Sequence, residues 1–281
     1  MIDLHTHTNF SDGTDTPAQL INKAMANGIT TLAITDHDSI GGWEQAKMAL
    51  RPGLSLVLGA EISCQTVDGV SVHILGLLFD PNFNQLMQTL EQTRENRYSR
   101  MERIIKRINE AGIEITMSDV LEQLADGATL GRPHLADALV KKGVVKNRDE
   151  AFTQMLHNNS KYYIPHYSPL PEEAIKLIKQ AGGVAVIAHP MASHRGRVIS
   201  SQTFGSIINS GLDGIEVDHR DHTPDEKKEL MNLAIEFDLA MTGSSDYHGN
   251  GKLNVLGEYT TKNDQWEKLE SKANARRVVA I

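Results

Sequence analysis

Residues 2–7 read Ile-Asp-Leu-His-Thr-His, an apolar segment of strand length that ends in two histidines. His5 and His7 are two positions apart, so a strand would direct both imidazole rings to the same face. The same kind of ending recurs at residues 36–38 (Asp-His-Asp), 188–190 (Ala-His-Pro) and 246–248 (Asp-Tyr-His). Because parallel strands bring their carboxyl ends to one edge, this recurrence predicts a β/α barrel-like scaffold with a multinuclear metal site at its mouth.

Strand and helix patterns alternate on both sides of this motif. Short apolar runs predict further strands at residues 31–35, 54–59, 70–79, 184–188, 214–217 and 239–242. Thr16-Pro17 and Thr223-Pro224 are each typical of a helix start, with an N-cap threonine before a first-turn proline. Glu226 completes a capping box in the second of them. Strands joined by helices imply right-handed crossovers between parallel strands.

The alternation stops between residues 84 and 161, where only helical patterns are found. Arg132-Pro133-His134 opens one helix, and Asn147 is placed to cap another. We therefore predict a barrel domain made of residues 1–83 and 162–281. Residues 84–161 are predicted to form a small inserted helical domain that lies beside it as a lid.

The charge, cysteine content and hydropathy of the chain exclude several classes of protein. The net charge of −8 over 281 residues argues against a broad grip on duplex nucleic acid, which needs many phosphate contacts. A single cysteine rules out an intrachain disulfide framework, and no apolar run approaches membrane-spanning length. We expect a cytoplasmic protein without a membrane segment, without stable duplex nucleic acid and without an obligate protein partner.

The residues at the strand ends form a candidate set of metal ligands rich in nitrogen and oxygen and free of thiolate. Asp36 and His37 would point in opposite directions, so at most one of them is expected to be a ligand. Glu61 can bridge two ions with its two oxygens. Zinc, manganese and iron suit such a set, and closely spaced ions generate a hydroxide nucleophile near neutral pH. The pattern therefore predicts hydrolysis, with phosphoryl transfer as the best-suited reaction.

Taken together, these residues resemble the polymerase and histidinol phosphatase (PHP) family of metal-dependent phosphoesterases. The segments that carry the resemblance are Asp3-Leu-His5-Thr-His7-Thr, Ser11-Asp12-Gly13, Ile34-Thr-Asp36-His37-Asp38, Gly59-Ala-Glu61, Ala188-His189-Pro190 and Ser245-Asp246-Tyr-His248. It covers nearly the whole chain and implies a distorted, seven-stranded β/α barrel, similar to a TIM barrel, with two or three metal ions (Mn, Fe or Zn). The family's polymerase-linked members are set aside, because the chain has no polymerase-sized region.

The resemblance also implies which residues hold each ion. The first ion would be held by His5, His7, Glu61 and Asp246. The second ion would be held by Glu61, His73 and His189, with Glu61 bridging. The third ion would be held by Asp12, His37 and His248.

The helical insertion with Arg-Pro-His is similar to that of the family's nucleotide phosphatase branch. This likeness implies a small phosphorylated substrate: a nucleoside monophosphate, a nucleoside 3′,5′-bisphosphate or the 5′ end of a short oligoribonucleotide. Arg132 would clamp the phosphate, and His134 would protonate the leaving oxygen as general acid. An alternative is that Arg132 only pairs with a carboxylate while Pro133 starts the helix. His194 and Arg195 are candidates for a second phosphate or ribose contact.

Three other functions remain open from the sequence. Histidinol phosphate phosphatase would share the site without a nucleobase. An amidohydrolase also uses His-x-His and a late-strand aspartate, although no lysine stands at a convincing strand end. A non-catalytic metal-binding protein would bind ions without turnover. The roles of His219 and His222 are also undecided.

Overall fold

A seven-stranded sheet forms the centre of the structure, a computed structural model that describes residues 1–165, 167–193 and 196–281. The strands are β1 (Ile2–Asp3), β2 (Thr31–Ile34), β3 (Ser55–Gln65), β4 (Ser71–Leu77), β5 (Val184–Ala188), β6 (Gly214–Asp218) and β7 (Ala240–Gly243). They lie side by side in chain order. The N–H of His7 donates to the carbonyl of Tyr247 at 2.9 Å and joins the two edges. The sheet is therefore a nearly closed barrel, which confirms the predicted fold class.

Helices surround this barrel. Their bounds are α1 (Pro17–Ala26), α2 (Trp43–Ala49), α3 (Asn84–Glu110), α4 (Met117–Leu121), α5 (Arg132–Lys141), α6 (Arg148–Ala151), α7 (Pro171–Gln180), α8 (Ser201–Asn209), α9 (Pro224–Glu236) and α10 (Asn263–Glu270). A π-helical turn (Phe152–Leu156) follows α6, and a 3-10 turn (Gly249–Gly251) follows β7. The predicted caps are confirmed: Thr223 and Glu226 form a capping box, and the side chain of Asn147 accepts from the N–H of Glu150.

The apolar core uses both faces of the strands. Leu56 and Leu58 pack with residues of the surrounding helices. Val57, which lies between them, belongs to a second cluster with Ala240 at the start of β7 and with Trp266 of α10. Because successive strand residues alternate in direction, the second cluster fills the barrel at the amino-terminal ends of its strands. The carboxyl-terminal ends are left for polar side chains.

The helices between β4 and β5 have an apolar cluster of their own. Ile104 and Ile108 of α3 are buried there with Leu135 and Leu139 of α5. The division into a barrel domain and an inserted lid stays a prediction. Within the described ranges, no helix combines the length and the hydropathy needed to cross a membrane.

Three details of the sheet differ from the predictions. Strand β1 covers only Ile2–Asp3, rather than continuing to His7. Strand β3 does not end at Gly59 but continues to Gln65, because it forms an antiparallel hairpin with β4. Strand β4 is antiparallel to β5 as well, so His73, near the start of β4, lies opposite Ala188 at the end of β5. This reversal brings His73 to the same mouth as the carboxyl ends of the parallel strands.

Candidate metal centre and substrate cavity

Glu61 lies at the centre of the mouth of the barrel and is buried in β3. Its Oε2 is 3.3 Å from His5 Nε2 and 3.2 Å from His7 Nε2. Its Oε1 is 2.7 Å from His73 Nδ1 and 3.2 Å from His189 Nε2. The two carboxylate oxygens thus face different pairs of histidines, as a ligand shared between two ions requires.

A second group of potential ligands surrounds Asp12. Its Oδ1 is 3.2 Å from His248 Nε2, 3.8 Å from His37 Nε2 and 3.9 Å from His7 Nδ1. His37 also faces Glu61, since His37 Nδ1 is 3.0 Å from Glu61 Oε2. Among the described residues, three sets each bring potential ligand atoms within 4.8 Å of one another: His7, Asp12, His37 and His248; His5, His7 and Glu61; and His37, Glu61 and His73.

Asp246 approaches the same histidines from the loop after β7. Its Oδ1 is 3.5 Å from His5 Nε2 and 3.4 Å from His7 Nε2. The backbone of Asp246 has a φ of 50°, and that of His189 has a φ of 32°. A non-glycine residue in this left-handed region costs about 1–3 kcal/mol and persists where the surroundings hold it. The strain falls on two loops that carry predicted ligands.

Buried atoms without hydrogen-bond partners test whether these residues fit a metal. Among the residues that the structure describes, such atoms at the mouth include Asp12 Oδ1, His37 Nδ1, Glu61 Oε2 and His248 Nε2. A buried polar atom left without a partner costs about 1–3 kcal/mol, so such atoms are rare. Several ligand atoms that converge without partners are what a cation would satisfy, and the donor set of imidazoles and carboxylates fits a divalent transition metal.

Two carboxylates and one imidazole at the mouth are in the forms that bind metal ions, whereas for His7 the effect of burial, which lowers the pKa, is overcome by the carboxylates of Asp246 and Glu61, which raise it to about 9. His7 would therefore release a proton on binding an ion. Burial raises the pKa of Asp12, but the stronger, opposite effect of His248 and His37 brings it well below its ordinary value. Glu61 has its pKa depressed in the same way, with burial opposed by His37 and His73. Burial, with help from Lys252, lowers the pKa of His248 to about 3. Two ionised carboxylates and a neutral imidazole are therefore available as ligands.

The structure brings together all nine of the residues predicted as metal ligands: His5, His7, Asp12, His37, Glu61, His73, His189, Asp246 and His248. Asp36 turns away, because its carboxylate accepts hydrogen bonds from Thr8 and Ser11, while its neighbour His37 faces the site. The assignment of individual residues to ions stays a prediction.

Glu216 was not among the predicted site residues, although it contacts two of them. It lies in β6 and is fully buried. Its Oε1 is 3.1 Å from His5 Nδ1, and its Oε2 accepts from the N–H of His189 at 2.7 Å. Burial raises the pKa of Glu216, but His5 lowers it to about 2. A charged residue inside the apolar segment Gly-Ile-Glu-Val was the signal that could have identified it.

We expect Glu216→Gln to lower kcat by about 10- to 100-fold, as loss of the partner of a metal-bound histidine does. The amide keeps the shape of the side chain but loses the charge that orients His5. Steady-state phosphate release and metal content measured on the same samples check this. A variant with parental kcat and parental metal content would show that Glu216 has only a packing role.

His219 and His222 differ in their surroundings. Nδ1 of His219 accepts from the N–H of Asp221 at 3.0 Å, so Nε2 carries the proton of the neutral ring and lies 3.5 Å from Asp246 Oδ2. Nδ1 of His222 donates toward the carbonyl of Val217, and its Nε2 accepts from the N–H of Met191. His219 thus supports a predicted ligand, whereas the contacts of His222 are with the main chain.

A cavity of about 740 Å³ opens outward from Asp12, His37, His73 and His248. Of the described residues, five arginines and one lysine line its wall: Arg97, Arg100, Arg132, Arg148, Arg220 and Lys252. This concentration of positive charge contrasts with the net charge of −8 of the whole chain. The cavity is suited to an anionic ligand larger than a single phosphate.

Two of these arginines, the buried Arg100 and the half-buried Arg132, have no carboxylate partner in the described part of the chain. Arg100 donates to the carbonyl of Ile164 at 2.6 Å and lies over the ring of Tyr163. Arg132 lies over both Phe152 and Tyr163, and its Nη1 donates to Asn158 Oδ1 at 2.8 Å. Burial and the nearby Arg132 lower the pKa of Arg100 to about 9, and burial lowers that of Arg132 to about 10. The pair therefore carries positive charge that an anion would stabilise.

The residues predicted to contact substrate have different positions. Arg132 lines the cavity, and Pro133 lies in the first turn of α5, as the Arg-Pro-His motif predicts. His134 is buried, its Nδ1 accepts from the N–H of Gly131 at 3.0 Å, and it is not among the described residues that line the cavity. This position, which caps the start of α5, does not suit a general acid. His194 and Arg195 lie outside the described residues.

Comparison with known proteins places these features in a family. The family model of the PHP domain matches residues 3–168. A 5′-3′ exoribonuclease of Haemophilus influenzae is 34% identical over 88% of this chain and 89% of its own. A 3′,5′-nucleoside bisphosphate phosphatase of Chromobacterium violaceum is 33% identical over 89% and 88%. A solved structure from Bifidobacterium adolescentis, assigned as a metal-dependent phosphoesterase, is 41% identical over 97% and 96%, with a TM-score of 0.92.

Proposed function

The chain belongs to the PHP domain family and is a metal-dependent phosphoesterase, and on that premise we propose that it hydrolyses a phosphomonoester of a nucleotide that carries a second phosphate. A nucleoside 3′,5′-bisphosphate is the substrate class that fits best. The observation that carries the proposal is the pair of arginines without a described carboxylate partner, the buried Arg100 and the half-buried Arg132, on the wall of the same cavity that opens from the ligand cluster. One phosphate would lie at the cluster and the other at the arginines.

We propose that the cluster holds two or three ions of manganese, iron or zinc. His5, His7, Glu61 and Asp246 would hold one, Glu61 would share a second with His73 and His189, and Asp12, His37 and His248 would hold a third. When bound, such ions activate water and neutralise the charge of the phosphoryl group. Glu216 keeps the ring of His5 oriented for this role.

The basic wall of the cavity favours a substrate with a second anionic group over the other candidate substrates. Histidinol phosphate carries one phosphate and an amine, and a cation is disfavoured next to Arg100 and Arg132. A nucleoside monophosphate would leave these arginines without an anionic partner. A 5′-phosphorylated oligoribonucleotide offers further phosphates, and the name of the Haemophilus influenzae relative gives this alternative weight.

The experiment is a comparison of initial rates of phosphate release with Mn²⁺ across adenosine 3′,5′-bisphosphate, 5′-AMP, 3′-AMP, histidinol phosphate and a 5′-phosphorylated diadenylate. We expect kcat/KM to be highest for the bisphosphate, through a lower KM. Equal kcat/KM for the bisphosphate and both monophosphates would contradict the proposal, as would a preference for histidinol phosphate. A preference for the dinucleotide would favour the exoribonuclease alternative. Stoichiometric metal binding with no release from any substrate would indicate a non-catalytic protein.

A further inference from the structure

Lys252 lies beside the ligand cluster on a firmly held loop. It follows the 3-10 turn Gly249–Gly251 after β7. The N–H of Gly251 donates to the carbonyl of His248, and the N–H of Asn250 donates to Thr14 Oγ1 at 2.8 Å. The second of these bonds connects the loop to the neighbouring loop that carries Asp12. The flexible side chain of Lys252 is one-third exposed and lines the substrate cavity.

The ammonium group of Lys252 contacts a predicted metal ligand. Its Nζ is 3.0 Å from Asp246 Oδ2, and His219 Nε2 is 3.5 Å from the same oxygen. The other oxygen, Oδ1, faces His5 and His7. The two carboxylate oxygens of Asp246 thus face different partners: Oδ1 faces the ligand cluster, and Oδ2 faces Lys252.

The remaining basic residues near the mouth have other partners. Arg97 pairs with Asp38, and Arg148 pairs with Asp137. Neither of these carboxylates belongs to the ligand cluster. Among the described cations that line the cavity, Lys252 is the one whose carboxylate partner is a predicted ligand. An ion at Asp246 would weaken the attraction between this carboxylate and the ammonium group of Lys252. A phosphoryl oxygen in the cavity would then accept the hydrogen bond of the ammonium group in place of Asp246 Oδ2.

We infer that Lys252 is a further catalytic residue, whose ammonium group moves from Asp246 Oδ2 toward an oxygen of the phosphoryl group under attack. This inference rests on the proposed function. In the reaction, water adds to phosphorus, the ester P–O bond breaks, and the alcohol leaves with a proton as inorganic phosphate is formed. Lys252 donates a hydrogen bond to the phosphoryl oxygen and keeps its own proton throughout. A positive charge next to the phosphoryl oxygens, which carry the negative charge of the transition state, stabilises that state.

The test compares Lys252→Met and Lys252→Arg with the parent, with Lys23→Met as the matched control. Lys23 also contacts a carboxylate next to the mouth, Asp15 at 2.8 Å, but it is not among the described residues that line the cavity. Three quantities are measured on each Mn²⁺-loaded protein: bound manganese, the dissociation constant of inorganic phosphate by calorimetry, and kcat on adenosine 3′,5′-bisphosphate.

For Lys252→Met we expect parental manganese content, phosphate affinity weakened about tenfold and kcat lowered about 10²-fold. Lys252→Arg should recover part of both losses, and Lys23→Met should match the parent. Unchanged phosphate affinity and kcat in Lys252→Met would overturn the inference. Loss of manganese would also overturn it, because Lys252 would then only support Asp246. If the parent hydrolyses no nucleotide, the proposed function fails, while the phosphate affinities still decide the role of Lys252.

Discussion

Glu61→Gln should reduce phosphate release by at least about 10³-fold, equivalent to about 4 kcal/mol of transition-state stabilisation. The carboxylate faces His5 and His7 with one oxygen and His73 and His189 with the other. The amide keeps the size of the side chain but offers one weak acceptor instead of two charged ones. Two groups of predicted ligands therefore lose their shared member in one substitution. Initial rates together with elemental analysis of bound metal measure the effect.

A matched substitution separates the loss of this carboxylate from the loss of any negative charge. Glu229 lies in α9 on the outside of the barrel, and Glu229→Gln should keep both rate and metal content. His73→Asn removes a predicted ligand from one side of Glu61 only, so it should lose less metal than Glu61→Gln. If Glu61→Gln kept the metal content and rate of the parent, Glu61 would not be a metal ligand shared by the two groups.

Local rules of the sequence were sufficient for most of the fold. The capping box at Thr223 and Glu226 needs only contacts within one turn, so the start of α9 is predictable from the sequence. The direction of β4 is different, because a two-residue periodicity is the same for parallel and antiparallel strands. The seven-residue pairing of β3 with β4 that sets this direction is a tertiary feature.

The site residues also fall into those that local sequence patterns predict and those that depend on tertiary structure. His5 and His7 are visible as a pair because their two-residue spacing predicts that they share one face, whereas Glu216 reaches His5 from a strand more than 200 residues away. Arg97 and Arg100 were missed because a 27-residue helix shows many charged positions and its pattern does not say which of them face a cavity. His134 was placed at the reaction by its motif, although its ring instead caps the helix that the motif begins.

The second large effect is expected at the arginine pair. Arg132→Gln should raise KM for adenosine 3′,5′-bisphosphate by about 10- to 100-fold, since a hydrogen bond to a charged group contributes about 1.5–3 kcal/mol. KM for a nucleoside monophosphate should change by less than about threefold, because that substrate has no second phosphate for the pair to bind. Because Arg132 would bind the substrate and its transition state equally, kcat should stay within about twofold of the parent. Steady-state kinetics on both substrates measures all three values.

The monophosphate acts as an internal control, because a damaged fold would raise KM for both substrates. Arg103→Gln is the matched control on α3, since Arg103 is exposed and donates to the carbonyl of Pro165 rather than lining the described cavity. Arg132→Lys keeps the charge but loses the planar group that lies over Phe152 and Tyr163, so its KM should fall between those of the parent and Arg132→Gln. Equal rises in KM for the two substrates would mean that Arg132 supports the cavity wall and that no second phosphate binds there. A rise confined to the bisphosphate would place its second phosphate at Arg132, because no other difference between the substrates could produce it.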